Sequence, residues 1–181
     1  MTNIRLARPC DALPISMMSR DTIEAGLPWR WVEGRVLRCI ADAAHNVIIA
    51  DWPEADSGSD SISDSNRLSN RPSNRSLNHS SNAIAGFGIM QYLDDRAHLS
   101  LLAVDPTLAR SGVGRALLAW LLRCAEVAGA ATVKLELKSN NANALAFYEV
   151  AGFREIAIRA GAYYGLADQR VMELRLRDLV W

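Results

Sequence analysis

A strand, a glycine-marked turn and a long helix follow one another near the middle of the chain, and this order constrains the fold more than any other feature. Ala97 to Val104 is an apolar run that ends just before Pro106, as a buried strand does. Val113 to Ala128 carries apolar residues at helical spacing and is followed by Gly129, a helix-ending residue. Thr132 to Leu137 predicts the next strand. A strand, helix, strand crossover of this kind indicates a mixed α/β domain.

Shorter patterns flank this crossover on both sides. Asp94-Asp95-Arg96 joins two strand-like runs as a hairpin, and Gly86 and Gly88 in its first strand allow a bulge or the close approach of another backbone. The chain of 181 residues has room for one ordinary domain, 1–181. The other predicted elements are strands at Ile4 to Ala7, Val47 to Ala50, Ala83 to Leu93, Phe153 to Ile158 and Val171 to Leu176, and helices at Asp11 to Ser19, Trp31 to Ala43 and Asn141 to Ala151.

One segment, residues 55–82, does not belong to the predicted core. Ser and Asn dominate it, and Ser-Asn-Arg recurs as a tandem repeat. Such a stretch buries too little apolar surface to offset the entropy of ordering it, which predicts a disordered Ser/Asn-rich surface loop. Arg67, Arg71 and Arg75 leave a second interpretation open, a weak patch for an anionic partner. A tolerated loop expansion is the simpler interpretation, because lengthening a surface loop costs little.

Charge and composition exclude several classes of function. The 20 basic residues balance the 20 acidic ones, so net charge gives no footprint for nucleic acid. No apolar run reaches the roughly 18 to 20 residues of a membrane span, and the N-terminus lacks the apolar block of a secretory signal. A cytoplasmic protein without a membrane or nucleic-acid partner is therefore expected. Cys10, Cys39 and Cys124 lack Cys-x-x-Cys spacing, which predicts neither a disulfide framework nor a metal site.

The turn before the long helix is suited to phosphate. Arg110-Ser-Gly-Val-Gly-Arg115 opens the helix, where unpaired backbone N–H groups and the positive helix end converge. Gly112 and Gly114 let a diphosphate approach the main chain, and the arginines add charged donors. The Lys-Ser/Thr of a Walker P-loop and the third glycine of a dinucleotide fingerprint are both absent. A bare glycine helix start without a ligand is the competing interpretation.

Two segments at a fixed spacing carry a more specific signal. The first runs from Val104-Asp105-Pro106 to Gly112-Val113-Gly114-Arg115, and the second is Asn141-x-x-Ala144-x-x-x-Tyr148-x-x-x-Gly152-Phe153. Together they resemble the acetyl-CoA-binding core of the GNAT N-acetyltransferases. Within that superfamily, Ile158-Arg-Ala-Gly-Ala-Tyr-Tyr164 resembles the ribosomal-protein-alanine N-acetyltransferase (RimI) group. The resemblance implies a single GNAT-like α/β domain with a mixed, mostly antiparallel central sheet flanked by helices. Ala109 departs from the family pattern, which has Gln or Arg there.

The resemblance also implies a binding site for acetyl-CoA as co-substrate. The main chain of Leu102, Ala103 and Val104 would hold the pantetheine arm, with the Val104 N–H polarising the acetyl carbonyl. Asn141 would hydrogen-bond the cofactor near its pantetheine. The diphosphate would lie against Arg110, Ser111, Gly112, Val113, Gly114 and Arg115.

The resemblance implies two catalytic residues. Tyr148 would donate a proton to the departing thiolate, and Glu136 would remove a proton from the substrate ammonium, directly or through a water. For Tyr148, an aromatic side chain capping a helix face is the alternative. For Glu136, the alternating pattern of Lys134, Glu136 and Lys138 equally suits a solvated strand face with paired charges.

The acceptor side of the predicted site rests on aromatic residues. Tyr163 and Tyr164 follow a glycine-containing turn where the family narrows its acceptor groove, and Trp29 is expected on the opposite wall, with Trp31 beside it. Ordinary core packing is an equal alternative for the tryptophans.

The function predicted is acetyl transfer from acetyl-CoA to a primary amine, foremost the N-terminal α-amine of a protein such as a ribosomal protein. An α-amine has a pKa near 8 and loses its proton far more easily than a lysine at about 10.4. Two alternatives stay open: a GNAT enzyme acting on a small-molecule amine, and a module that binds acetyl-CoA without turnover.

Overall fold

The computed structural model describes residues 3–52, 84–162, 165 and 168–178, and within them lie seven strands and four α-helices. Each predicted strand and helix is present, with its ends shifted by a few residues, whereas the predicted insert at 55–82 lies outside the described residues. The elements are β1 (Ile4–Leu6), α1 (Ala12–Thr22), α2 (Glu33–Ala41), β2 (His45–Asp51), β3 (Ile84–Leu93), β4 (Arg96–Val104), α3 (Val113–Val127), β5 (Thr132–Lys138), α4 (Ala142–Val150), β6 (Arg154–Arg159) and β7 (Gln169–Arg175).

The strands form a single sheet in the order β1-β2-β3-β4-β5-β7-β6. Only β4 and β5 pair in parallel, because α3 carries the chain from the end of one to the start of the other; the remaining described pairs are antiparallel. This confirms the mixed, mostly antiparallel sheet. Within the described ranges, no helix is both long enough and apolar enough to cross a membrane.

Helices cover both faces of the sheet. Along β2, Ile48 and Ala50 belong to the apolar cluster built on α3, whereas Val47 and Ile49 belong to the cluster built on α1 and α2. Since successive side chains of a strand point to opposite faces, the two clusters lie on opposite sides of the sheet. The larger one, on the α3 side, also takes in Tyr148 of α4.

An extra residue in β4 changes which of its side chains face each cluster. Ile89 of β3 is paired with Leu101 and the next residue, Met90, with Leu99, so Ser100 has no partner and forms a β-bulge. Leu99 and Leu102 therefore both pack toward α3 although they are three residues apart.

The bulge coincides with the point where the two parallel strands separate. β4 pairs with β5 only from Arg96↔Thr132 to Leu99↔Leu135. Beyond that register, residues 100–104 of β4 and 136–138 of β5 make no ladder with each other. A gap therefore opens between the carboxyl ends of the two central strands, and the strongest sequence signals lie around it.

Candidate active site

The β4 side of the gap presents free backbone groups. Asp105 N–H donates to Ala85 O of the β3 side at 2.8 Å, and N–H directions alternate along an antiparallel strand. The Ala103 N–H therefore also points to β3, while the N–H groups of Leu102 and Val104 point into the gap. Because β5 does not pair there, these two residues keep main-chain donors and acceptors available along one edge.

The turn after β4 is held by a short-range cap. Asp105 Oδ1 accepts hydrogen bonds from the Thr107 N–H at 2.9 Å and from the Thr107 hydroxyl at 2.5 Å. Pro106–Leu108 forms one turn of 3₁₀-helix, and Arg110 then takes a left-handed conformation with φ of 64°. Gly112 follows with φ of 91°, which a residue without a Cβ adopts without strain.

The first backbone hydrogen bond of α3 runs from Ala116 N to Gly112 O at 3.0 Å. The N–H groups of residues 113–115 precede that bond, and within the described part of the chain they have no backbone acceptor. Ser111 differs, because its N–H already donates to Leu108 O at 3.2 Å and only its hydroxyl remains. Val113 is buried and offers only its main chain.

The start of α3 lies against both β4 and α4. A Cβ placed on Gly114 would lie 3.4 Å from Val104 Cγ2 and 3.8 Å from the Phe147 ring, whereas one placed on Gly112 would meet nothing within 4 Å. The open space at Gly112 and the unpaired N–H groups beside it form a cradle at the mouth of the gap. The exposed Arg110 and Arg115 flank this cradle. The residues present therefore fit a diphosphate followed by a hydrogen-bonding arm, as in coenzyme A.

Tyr148 of α4 is packed among aromatic rings. It is 8% exposed, and its ring makes edge contacts with Phe147 and Phe153 at centroid distances of 5.1 and 5.5 Å. Burial raises the pKa of the Tyr148 phenol well above its usual value near 10. The hydroxyl makes no hydrogen bond to another described residue. Tyr148 therefore keeps its proton over the whole neutral range and has it free to donate.

Asn141 has a structural role in addition to the one predicted. Its Oδ1 accepts a hydrogen bond from the Ala144 N–H at 3.0 Å and caps the start of α4. Its amide Nδ2 remains a donor for a ligand.

Glu136 lies on the far side of the gap, on the sheet face that α1 and α2 cover. Val133, Leu135 and Leu137 are buried toward α3, so the alternate residue Glu136 faces the other way. Its Oε1 lies 3.3 Å from Arg159 Nη1. The sequence interpretation of a strand face with paired charges thus describes the geometry, and it does not conflict with a catalytic role because the pair is exposed.

His98 is a group near the gap that sequence reasoning missed. It is half-buried in β4, opposite Lys134, on the same face as Glu136. Burial lowers the pKa of His98, although the nearby Glu136 carboxylate opposes that shift, so the imidazole is neutral at pH 7. The signal that could have revealed it was a lone imidazole inside a mostly apolar strand.

The residues predicted to contact the acceptor differ in their exposure and contacts. Trp29 is 41% exposed, with the Arg20 guanidinium 5.5 Å from its ring centroid, so it is not a core residue. Trp31 packs against the α1–α2 cluster, and the Arg35 guanidinium carbon lies 4.0 Å from its ring centroid. Tyr163 and Tyr164 lie outside the described residues.

The fold and the cradle define an α/β protein with a site suited to a ligand that contains a diphosphate. Residues 41–153 match the Acetyltransferase (GNAT) family, and the chain belongs to that family. A curated relative, the [ribosomal protein bS18]-alanine N-acetyltransferase of Escherichia coli K12, is 46% identical over 87 residues, which are 48% of this chain and 58% of the relative. The chain thus matches somewhat more than half the length of that relative.

Solved structures show the same fold over nearly the whole length. The ribosomal-protein-S18-alanine N-acetyltransferase from Escherichia coli has a TM-score of 0.68 at 26% identity, with 100% of both chains covered. An N-acetyltransferase from Thermoplasma acidophilum, solved in complex with coenzyme A, has a TM-score of 0.66 at 14% identity, covering 97% of this chain and 99% of that one. This second likeness concerns the fold alone.

Proposed function

We propose that this protein transfers the acetyl group of acetyl-CoA to the N-terminal α-amine of a protein, with a ribosomal protein as the foremost candidate. The observation that carries the proposal is the gap between β4 and β5, where the phosphate cradle lies against Val104 on β4 and Glu136 lies on β5. The similarity to the bS18-alanine N-acetyltransferase of Escherichia coli supports the acceptor class.

The cradle and the β4 edge would bind the co-substrate. The N–H groups of residues 113–115 and the two flanking arginines hold the diphosphate, and the main-chain groups of Leu102 and Val104, on either side of Ala103, hold the arm along the strand. The thioester supplies an electrophilic acetyl carbon. The Val104 N–H, which points into the gap, donates to the carbonyl oxygen as negative charge develops there.

Two side chains then move protons. Glu136 accepts a proton from the acceptor ammonium and releases it to solvent. The free amine then forms the new N–C bond, and its nitrogen gives up a second proton to Glu136, directly or through a water, as the C–S bond breaks. Tyr148 donates its proton to the leaving sulfur and recovers one from solvent. The products are an N-acetylated chain and CoA thiol.

The exposed surroundings of Glu136 favour a chain end over an enclosed small molecule. The Glu136 side chain is 33% exposed and that of Arg159 is 60% exposed. An α-amine of pKa near 8 also needs less help from a carboxylate than a lysine amine does.

The test is a transfer assay with three acceptors. The first is a peptide with a free N-terminal alanine, the second is a peptide with a blocked N-terminus and one internal lysine, and the third is a polyamine. Thiol release and mass spectrometry report the reaction and the position of the acetyl group. We expect transfer to the free α-amine only. Transfer confined to the lysine or to the polyamine would overturn the acceptor assignment, and no transfer to any of the three would overturn the enzymatic one.

A further inference from the structure

Glu24, which follows α1, is a buried carboxylate that the proposed chemistry does not use. It is 7% exposed, a rare position for a glutamate without partners. Its Oε1 accepts from the Arg30 N–H at 2.7 Å, and its Oε2 accepts from the Trp31 N–H at 3.2 Å and from the Ser19 hydroxyl at 3.3 Å. The carboxylate therefore joins the end of α1 to the residues just before α2, across the loop formed by residues 25–32.

A second contact fixes the same loop to the active-site strand. Lys138 Nζ donates to Ala25 O at 3.1 Å. Lys138 is the last residue of β5 and shares a sheet face with Glu136, two positions earlier. The loop 25–32 therefore lies beside the carboxyl end of β5, on the face from which an acceptor amine would reach Glu136.

The loop also packs on the apolar cluster of its own sheet face. Ile23, just before the loop, and Trp31, near its end, pack against the α1–α2 cluster, which also includes Leu101 and Ala103. These two residues belong to the part of β4 that follows the bulge and no longer pairs with β5. The loop is thus attached to the end of β5 through Lys138 and packs on the same sheet face as the diverging part of β4.

We propose that Glu24 is a positioning residue for the acceptor: its carboxylate holds the loop 25–32, including the exposed Trp29, in one conformation before the acceptor binds. The inference rests on the proposed acetyl transfer. When a loop that lines a binding site is in its binding-competent conformation only part of the time, the apparent affinity for the ligand falls in proportion to the competent fraction. Replacing one carboxylate oxygen with an amide NH2, as in Glu24→Gln, leaves one of the two loop N–H groups facing a donor and allows other conformations.

The test compares Glu24→Gln with a matched variant, Asp11→Asn. Asp11 lies at the opposite end of α1, is 3% exposed, accepts from the Arg8 N–H at 2.6 Å and pairs with Arg5 at 2.8 Å, but it holds no part of the loop. Both changes remove the charge of a buried carboxylate at nearly constant volume, so both are expected to lower the melting temperature.

The kinetic readout separates positioning from stability. Glu24→Gln is expected to raise the KM for an N-terminal peptide by about tenfold, the equivalent of roughly 1.4 kcal/mol, while the KM for acetyl-CoA stays within about twofold. Asp11→Asn is expected to change neither KM. If Glu24→Gln lowers the melting temperature but leaves the peptide KM unchanged, as Asp11→Asn does, the proposal is overturned.

Amide hydrogen exchange provides a readout that does not need turnover. Exchange at residues 30 and 31 is expected to speed up in Glu24→Gln and not in Asp11→Asn. Unchanged exchange would overturn the inference even in an active enzyme, whereas failure of the wild type to acetylate any amine would overturn the proposed function alone. If Glu24→Gln does not fold, Lys138→Met removes the other attachment at a half-buried side chain and is expected to raise the peptide KM in the same way.

Discussion

Arg159 Nη1 lies 3.3 Å from Oε1 of Glu136, so the proposed general base has a cation as its partner in the absence of an acceptor. Arg159 belongs to β6 and Glu136 to β5, and β7 runs between them, so the guanidinium reaches over an intervening strand. An exposed pair of this kind contributes about 1 kcal/mol or less. An acceptor ammonium can therefore replace the guanidinium beside Glu136 at small cost.

Glu136→Gln is expected to depress the transfer rate strongly at neutral pH, by about 10²- to 10⁴-fold, because the amine is then still protonated and its base is missing. Part of the rate should return as pH passes the amine pKa near 8, where the free amine needs no base. The measurement is kcat/KM for an N-terminal peptide from pH 6 to pH 10. Wild-type rates at neutral pH would mean that Glu136 is a solvated strand residue only.

Glu173→Gln is the matched control for that experiment. Glu173 lies on β7 opposite Lys134, and the two side chains form an ion pair at 3.2 Å on the same face as Glu136. Its removal is expected to leave the rate and its pH dependence unchanged, because Glu173 lies beside the paired part of β5 and not at the gap.

Tyr148→Phe is expected to lower kcat at every pH from 6 to 10 while the affinity for acetyl-CoA, measured by calorimetry, stays nearly unchanged. The reason is that burial raises the phenol pKa, so the wild-type residue remains a proton donor across that range and the variant lacks the donor throughout. Tyr92→Phe is the control, since the Tyr92 hydroxyl accepts from Asn46 Nδ2 at 2.7 Å near the hairpin end of β3. A Tyr148→Phe defect that disappears at high pH would argue against the acid role.

Gly112→Ala is expected to weaken acetyl-CoA binding, because φ of 91° strains an L-residue and the added Cβ enters the cradle. Gly129→Ala at the other end of α3 matches it, with φ of 83° and equally open space around its Cβ. Both changes should destabilise the fold by about 1 kcal/mol. Only the first should alter the acetyl-CoA dissociation constant by calorimetry, and equal affinities in the two variants would remove the cradle from the binding site.

The order of elements was predictable because local signals mark it. Glycine at positive φ commonly ends a helix, and proline commonly ends a strand. Gly129 and Gly152 follow α3 and α4 in this way, and Pro106 follows β4. The crossover between β4 and β5 then followed from the length of α3, which is enough to carry the chain back to the start of a parallel strand.

The gap itself was not predictable, because register is a property of two strands and not of either alone. Ser100 forms the bulge through its pairing with β3, and its sequence neighbours show only an apolar run. The burial of Glu24 was not predictable for a related reason. Its burial depends on backbone N–H groups six and seven residues further along, which no spacing rule for side chains reports.

Acid should destabilise the fold in part through Asp11. Burial disfavours its charged form, but hydrogen bonds from Arg5 and from the Arg8 N–H outweigh burial, so the pKa of Asp11 is lowered. The contribution of Asp11 to the free energy of unfolding is therefore complete above the unfolded-state pKa of about 3.9. It is lost as pH falls toward the lower folded-state pKa. The difference in melting temperature between wild type and Asp11→Asn should be constant from pH 7 to about 5 and shrink below that. A difference independent of pH down to 3 would show that the charge of Asp11 is not what stabilises the fold.

Deleting residues 57–81 is expected to leave both the fold and acetyl transfer intact, because the two ends of the connection between β2 and β3 already meet. Asp51 and Ile84 are cross-strand partners, so a handful of residues can replace the long connection without moving either strand. Closing a shorter loop costs less entropy, which favours the folded state by on the order of 1 kcal/mol and a few degrees in melting temperature. Thermal unfolding and the three-acceptor assay check both expectations. A large fall in melting temperature would show that the segment packs on the fold. If transfer to a whole protein fell while transfer to a short peptide did not, Arg67, Arg71 and Arg75 would become the leading candidates for contacts with an anionic partner.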